Sequence, residues 1–106
     1  MSIRPELLSK GDKVAIVATA RKISLSEVEY AIDLFSKWGL DVVVGKTIGL
    51  EDNQFAGTDS QRAEDIQEFL DDEDIKAIFC ARRGYGTVRI IDKLDFRSFS
   101  KHPKWI

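Results

Sequence analysis

Residues 82–86, Arg-Arg-Gly-Tyr-Gly, place two guanidinium groups and two glycines within one short stretch. Glycine lets a backbone approach a ligand closely, and where such a turn opens a helix its free amides favour a carboxylate, phosphate or oxyanion. Arg82 and Arg83 add planar, permanently charged donors suited to the same anions. As a bare pattern Gly84-Tyr-Gly86 is neither a phosphate-binding loop nor a complete dinucleotide fingerprint, and a plain tight turn fits it equally. Cys80 lacks the flanking glycines of a nucleophile elbow and reads as a packed thiol. His102 stands beside Pro103 with no Ser or Cys partner at a suggestive spacing, and reads as a solvated side chain. One cysteine and one histidine supply neither a disulfide nor a structural zinc site, so no metal and no cofactor is expected.

The elements that must position this turn can be read from the hydrophobic pattern. Lys13-Val-Ala-Ile-Val-Ala18 is a β-branched apolar run and reads as a buried strand. Ser24 and Glu27 have the spacing of a capping box, and Val28, Ala31, Ile32, Phe35 and Trp38 then form one helical stripe that Gly39 ends. That spacing assigns Trp38 to the core rather than to a stacking surface. Leu40–Val44 is a second strand, and the stretch from Lys46 to Gly57, poor in apolar residues, is expected on the surface. Thr58 and Gln61 cap a second helix with Asp59, Glu64 and Asp65 near its positive end. Ile66, Phe69 and Leu70 are its buried stripe, and the run Asp71–Asp74 stops it. Ile75–Ala81 is a third strand; Gly84-Tyr-Gly86 opens a third helix containing Val88, Ile91 and Leu94; Lys104-Trp-Ile106 begins a fourth strand.

Strands separated by helices pair in parallel through right-handed crossovers, so the expected fold is α/β: a three-layer flavodoxin-like, or Rossmann-like, parallel sheet with flanking helices and a truncated fourth strand. Ligands of such sheets bind beyond the carboxyl ends of the strands. Thr19, Gly45-Lys46 and the Arg82–Gly86 turn all fall there. A phosphoacceptor domain of this architecture needs carboxylates at those ends, but Asp12 precedes its strand and the third strand leads into arginines.

Composition fits one compact domain: 106 residues, 43% hydrophobic and 32% charged. A chain of this size buries roughly 60–70% of its unfolded surface. Arg4, Glu6, Lys10 and Asp12 precede the first apolar run, and no run approaches the ~18 residues of a membrane span, which points to a cytoplasmic protein without membrane attachment. A net charge of −2 argues against nucleic acid as a partner. The charge is nevertheless polar: ten acids and one base between Glu51 and Asp74, then eight bases and two acids from Lys76 to Lys104. Such a split either orients an anionic ligand or coats solvated helix faces.

Six segments stand in order: Leu7-Leu-Ser-Lys-Gly-Asp-Lys-Val-Ala-Ile-Val-Ala18, Trp38-Gly-Leu-Asp-Val-Val-Val-Gly45, Phe55-Ala-Gly-Thr-Asp59 with Arg62-Ala63, Cys80-Ala-Arg-Arg-Gly-Tyr-Gly86, Arg89-Ile-Ile-Asp-Lys-Leu-Asp95 and Pro103-Lys-Trp-Ile106. Together they resemble the N-terminal domain of the LD-carboxypeptidase family, serine peptidases that include muramoyltetrapeptide carboxypeptidase and the microcin C self-immunity peptidases. The resemblance implies a flavodoxin-like N-terminal domain, residues 1–106, and a separate C-terminal domain absent from this sequence. It implies cleavage of the amide before a terminal D-residue, as when D-alanine leaves a murein tetrapeptide in the cytoplasm. The serine of a Gly-aromatic-Ser-Asp elbow would follow the strand that starts at Pro103, and its Glu and His partners would come from the C-terminal domain. The chain alone is therefore expected to be inactive. The resemblance assigns Gly84 to the oxyanion hole and Thr19, Arg82, Arg83, Tyr85 and Gly86 to the substrate-binding wall. The family turn usually reads Arg-Gly-Gly-Tyr-Gly; Arg83 stands at the first of those glycines, where a left-handed backbone would strain it by about 1–3 kcal/mol.

Two further expectations accompany this reading. From the residues alone, a free-standing α/β module could hold a small anionic ligand at the Arg82–Gly86 turn without chemistry. A sheet whose fourth strand is cut short leaves the third strand's edge open, so self-association is expected there.

Overall fold

The computed structural model describes residues 8–52, 55–81, 90, 93–97 and 104–106. Among the described residues three strands and two helices alternate: β1 (Lys13–Ala18), α1 (Leu25–Lys37), β2 (Asp41–Val44), α2 (Asp59–Asp71) and β3 (Ile75–Ala81). The strands form one parallel sheet in the order β2-β1-β3. Outside β3, Trp105 makes a parallel bridge to Ala77: the Ile78 amide donates to the Trp105 carbonyl at 2.7 Å, and the Trp105 amide donates to the Lys76 carbonyl at 3.2 Å. The expected start of a fourth strand therefore lies on the far side of β3, and the sheet runs in flavodoxin-like order.

Both helices begin as their sequences dictate. The Glu27 amide donates to the Ser24 hydroxyl, and the Gln61 amide to the Thr58 hydroxyl, while Glu27 and Gln61 reach back to the cap amides. α1 ends at Lys37, and Gly39 takes a φ of +84°, the left-handed conformation that releases the chain into β2.

Period-two alternation divides the core between the two faces of the sheet. Ala15 and Val17 of β1 meet Ile66, Phe69 and Leu70 of α2, together with Ile75, Ile78 and Ile90. Ile16 and Ala18 face the other way, onto Val28, Ile32 and Phe35 of α1 and Ala81 of β3. Opposite crossovers thus produce the three layers, with β1 wholly covered at the centre. A register shift opposite Lys13 and Val14 lets Ile75 and Ile78 of β3 enter the same cluster.

Three expectations need correction. Trp38 is 58% exposed because α1 has ended and the residue is its C-cap; its ring meets Phe35 at 5.8 Å instead of entering the core. The stretch after β2 is not simply a surface loop, since Thr47, Ala56 and Gly57 are buried. Nor are the acids of α2 all solvated: Asp65 is only 3% exposed. The last two corrections share a cause, which lies at the carboxyl rim of the sheet.

Candidate functional site

β1 and β3 end together. Ala18 lies opposite Ala81 in the register, so Thr19 continues the chain at the same rim of the sheet at which β3 ends before Arg82. Arg82, Arg83, Gly84, Tyr85, Gly86 and His102 fall outside the described residues. Cys80 is half-buried beside the α2-side core. Thr19 has no exposed surface, and its main-chain carbonyl faces into the domain.

That carbonyl accepts a hydrogen bond from Arg62 Nε at 3.0 Å, while Arg62 Nη1 donates to the Gly57 carbonyl at 2.7 Å. Nη2 pairs with Asp59, one turn earlier on α2. The guanidinium also lies over the Phe55 ring, 4.7 Å from its centre. A cation near a helix N-terminus is opposed by the helix dipole. Here the opposition is met by two carbonyls, a carboxylate and a ring, around a side chain that is 1% exposed. Gly57 adopts a φ of +85°, a conformation costly for any other residue, and its carbonyl is one of the two that the guanidinium holds.

One turn further along α2, Asp65 serves the other loop. Its Oδ1 accepts from the Lys46 amide at 3.0 Å, and its Oδ2 accepts from the Thr47 amide at 2.9 Å and the Thr47 hydroxyl at 2.5 Å. The hydroxyl in turn accepts from the Ala18 amide at 2.9 Å. Gly45 makes room for this: a Cβ there would lie 2.5 Å from Oδ2, 2.9 Å from Oδ1 and 2.9 Å from Val17 Cγ1. The Ala56 amide completes the rim by donating to the Ala20 carbonyl at 2.9 Å. Among the described residues no buried side-chain nitrogen or oxygen lacks a partner.

The sequence reading passed over Arg62, Asp65 and Thr47 as site-building residues. A signal existed. Residues 62, 65, 66, 69 and 70 repeat at helical spacing, so the apolar stripe of α2, continued backwards, places an arginine and an aspartate in core positions.

A fourth anchor lies at the opposite end of α2. Lys104 is 4% exposed and its Nζ donates to the carbonyls of Phe69 and Asp72, at 2.6 Å each. It thereby fills C-terminal acceptors of the helix that have no partner within it. Burial pushes its ammonium below the ordinary lysine pKa, partly offset by the neighbouring carboxylates of Asp72 and Asp71. The fourth strand is thus tied to α2 at its first residue and to β3 at its second.

Against known proteins, residues 14–106 match the model of the LD-carboxypeptidase N-terminal domain. The chain belongs to the LD-carboxypeptidase family. Among relatives, it is 35% identical over 104 residues to a probable murein peptide carboxypeptidase of Bacillus subtilis, covering 98% of this chain and 33% of that protein. It is 32% identical over 84 residues to the murein tetrapeptide carboxypeptidase of Pseudomonas aeruginosa, covering 79% of this chain and 27% of that one. Among solved structures, the muramoyltetrapeptide carboxypeptidase of Oxalobacter formigenes superposes with a TM-score of 0.74 at 28% identity, over 87% of this chain and 31% of that one. The microcin C7 self-immunity protein MccF gives 0.85 at 21% identity, over 98% and 31%, a likeness of fold. The chain thus spans about a third of the length of the relatives it matches. Among its described residues no helix is long and apolar enough to cross a membrane, and no three metal-ligating side chains converge.

Proposed function

We propose that this chain is the N-terminal part of a cytoplasmic serine LD-carboxypeptidase that removes the terminal D-amino acid from murein tetrapeptide-like substrates in peptidoglycan recycling. The observation that carries this reading is the match of residues 14–106 to the family's N-terminal domain, together with relatives that are themselves murein peptide carboxypeptidases. The contribution of this domain is one wall of the cleft. Attack on an amide carbonyl develops negative charge on oxygen, and a preorganised backbone amide is the efficient counterpart to it. Gly84 is the proposed donor, following directly on the rim where β1 and β3 end together. Arg82, Arg83, Tyr85, Gly86 and Thr19 are the proposed substrate-binding residues, Thr19 being wholly buried in the domain.

Acyl transfer also needs a nucleophile and a base, which this reading places in the remainder of the protein. The 106-residue chain should therefore release no D-alanine from a murein tetrapeptide, whereas the longer protein should release it, and Gly84→Pro in the longer protein should abolish turnover by removing the amide hydrogen. Turnover by the isolated chain, or undiminished turnover by Gly84→Pro, would overturn the assignment. The self-association expected of the isolated chain finds support in Phe79, which is 45% exposed on β3 and stacked edgewise on Phe35 at 5.7 Å, and in the exposed Trp105 and Ile106. Light scattering should show a mass above that of one chain.

A further inference from the structure

We propose that Arg62 is a positioning residue: from inside the domain, its guanidinium fork sets the spacing between the Thr19–Ala20 turn and the Ala56–Gly57 turn, and so the shape of the substrate-facing rim. The inference deepens the carboxypeptidase reading and, for its catalytic consequence, rests on it. Two features of the geometry carry it. Nε and Nη1 of one rigid plane bind carbonyls of Thr19 and Gly57, which belong to different loops and lie outside regular structure. The same two loops are joined once more, by the Ala56 amide donating to the Ala20 carbonyl at 2.9 Å. A buried ion pair is rarely needed for stability alone, because apolar residues of similar volume pack as well. What an apolar residue cannot do is fix two carbonyls at a set separation.

Asp65, one turn along, holds the loop after β2 through its amides, so one face of α2 clamps the segments that follow both β1 and β2. The α2 surface that would otherwise offer an acidic groove, lined by Glu64, Gln67, Glu68 and Asp71, plays no part in this clamp.

The fork makes a specific demand that lysine cannot meet. Lysine keeps the charge, but its single nitrogen can join two carbonyls only where they converge on one point, as at Lys104, whereas Nε and Nη1 hold the Thr19 and Gly57 carbonyls from two separate atoms of a rigid plane. In Arg62→Lys, hydrogen exchange at the Ala56 amide should rise by about tenfold or more, since losing hydrogen bonds to a charged donor shifts local opening by at least that factor, while exchange at Val17 in β1 stays near the wild-type value. Should Arg62→Lys fail to fold, Asp59→Asn gives the same readout at smaller amplitude, about threefold at Ala56, because it loosens only the Nη2 end of the guanidinium.

In the longer protein, Arg62→Lys should lower kcat for tetrapeptide hydrolysis by about tenfold or more with KM nearly unchanged, the mark of a misplaced rim rather than a lost binding contact. Unchanged exchange at Ala56 in Arg62→Lys, or in Asp59→Asn where the former does not fold, overturns the proposal; so does a KM effect without a kcat effect. If the wild-type longer protein does not cleave tetrapeptide, the carboxypeptidase reading fails and the exchange measurements alone decide the role of Arg62.

Discussion

Replacing Asp65 by asparagine changes one atom and tests whether the rim is built as described. The carboxylate receives three hydrogen bonds: the Lys46 amide on Oδ1, and the Thr47 amide and hydroxyl on Oδ2. An asparagine carbonyl can take the place of only one of these oxygens. With its oxygen toward Lys46, the NH2 group faces the Thr47 amide, donor against donor. Turned over, it faces the Lys46 amide instead. The Thr47 hydroxyl can adapt by accepting from the NH2 group, but one amide loses its partner in either orientation, the buried one of Thr47 or the half-buried one of Lys46. Orphaning an amide costs about 1–3 kcal/mol, and replacing charge-assisted bonds by neutral ones adds to it, so Asp65→Asn should destabilise the domain by about 2–4 kcal/mol. Equilibrium urea unfolding should show this as a lower midpoint with an unchanged slope. Thr47→Ser, which keeps the hydroxyl that both donates to Asp65 and accepts from Ala18, should cost less than about 1 kcal/mol, and Thr47→Val about 1–3 kcal/mol. An Asp65→Asn protein within about 0.5 kcal/mol of wild type, the range of ordinary surface changes, would refute the anchoring of this loop by Asp65.

Gly45→Ala should destabilise by about 1–3 kcal/mol through overpacking against Asp65 and Val17, and combining it with Asp65→Ala should cost less than the sum of the two, because the carboxylate oxygens it strikes are gone; a double-mutant cycle by urea unfolding reads the difference. Lys104→Met keeps the aliphatic stem and strands the Phe69 carbonyl, while the Asp72 carbonyl keeps the Ile75 amide, for an expected loss of about 1–3 kcal/mol at neutral pH. Because the folded state lowers the Lys104 pKa below 10.5, the unfolded chain binds more protons in the interval between the two values, so stability contributed by this group rises with pH there; wild type should gain on Lys104→Met as the pH approaches 10.5 in parallel unfolding curves. Hydrogen bonds from the Arg97 side chain and amide, the former the stronger cause, bring the Asp95 carboxyl down to about 2 from 3.8, so any stability it contributes is present above pH 3.8 and is lost as the pH falls toward 2; NMR titration should place its midpoint there, and Arg97→Ala should move it back toward 3.8.

Local signals carried the fold because each was sufficient in itself. Ser24 with Glu27 and Thr58 with Gln61 start helices wherever the following stripe can be buried, and the apolar run of β1 is paired on both sides, by β2 and by β3. Trp38 escaped because a stripe drawn at helical spacing says nothing of where the helix stops, and here it stops one residue short. Arg62 and Asp65 escaped for a deeper reason. Read by composition they belong to an acidic, solvated helix with one stray base, and only their phase relative to Ile66, Phe69 and Leu70 marks them as interior. A charge in a core phase is expensive unless something answers it, and what answers these two is backbone: the carbonyls of Thr19 and Gly57, and the amides of Lys46 and Thr47. Backbone groups have no sequence signature, so the partners could not be named before the chain was folded. Positions where a polar residue breaks an apolar phase are those where the fold gives up transferable packing for fixed loop geometry: Thr19, Thr47, Arg62 and Asp65 gather at the carboxyl rim of the sheet, and Lys104 does the same work at the other end of α2.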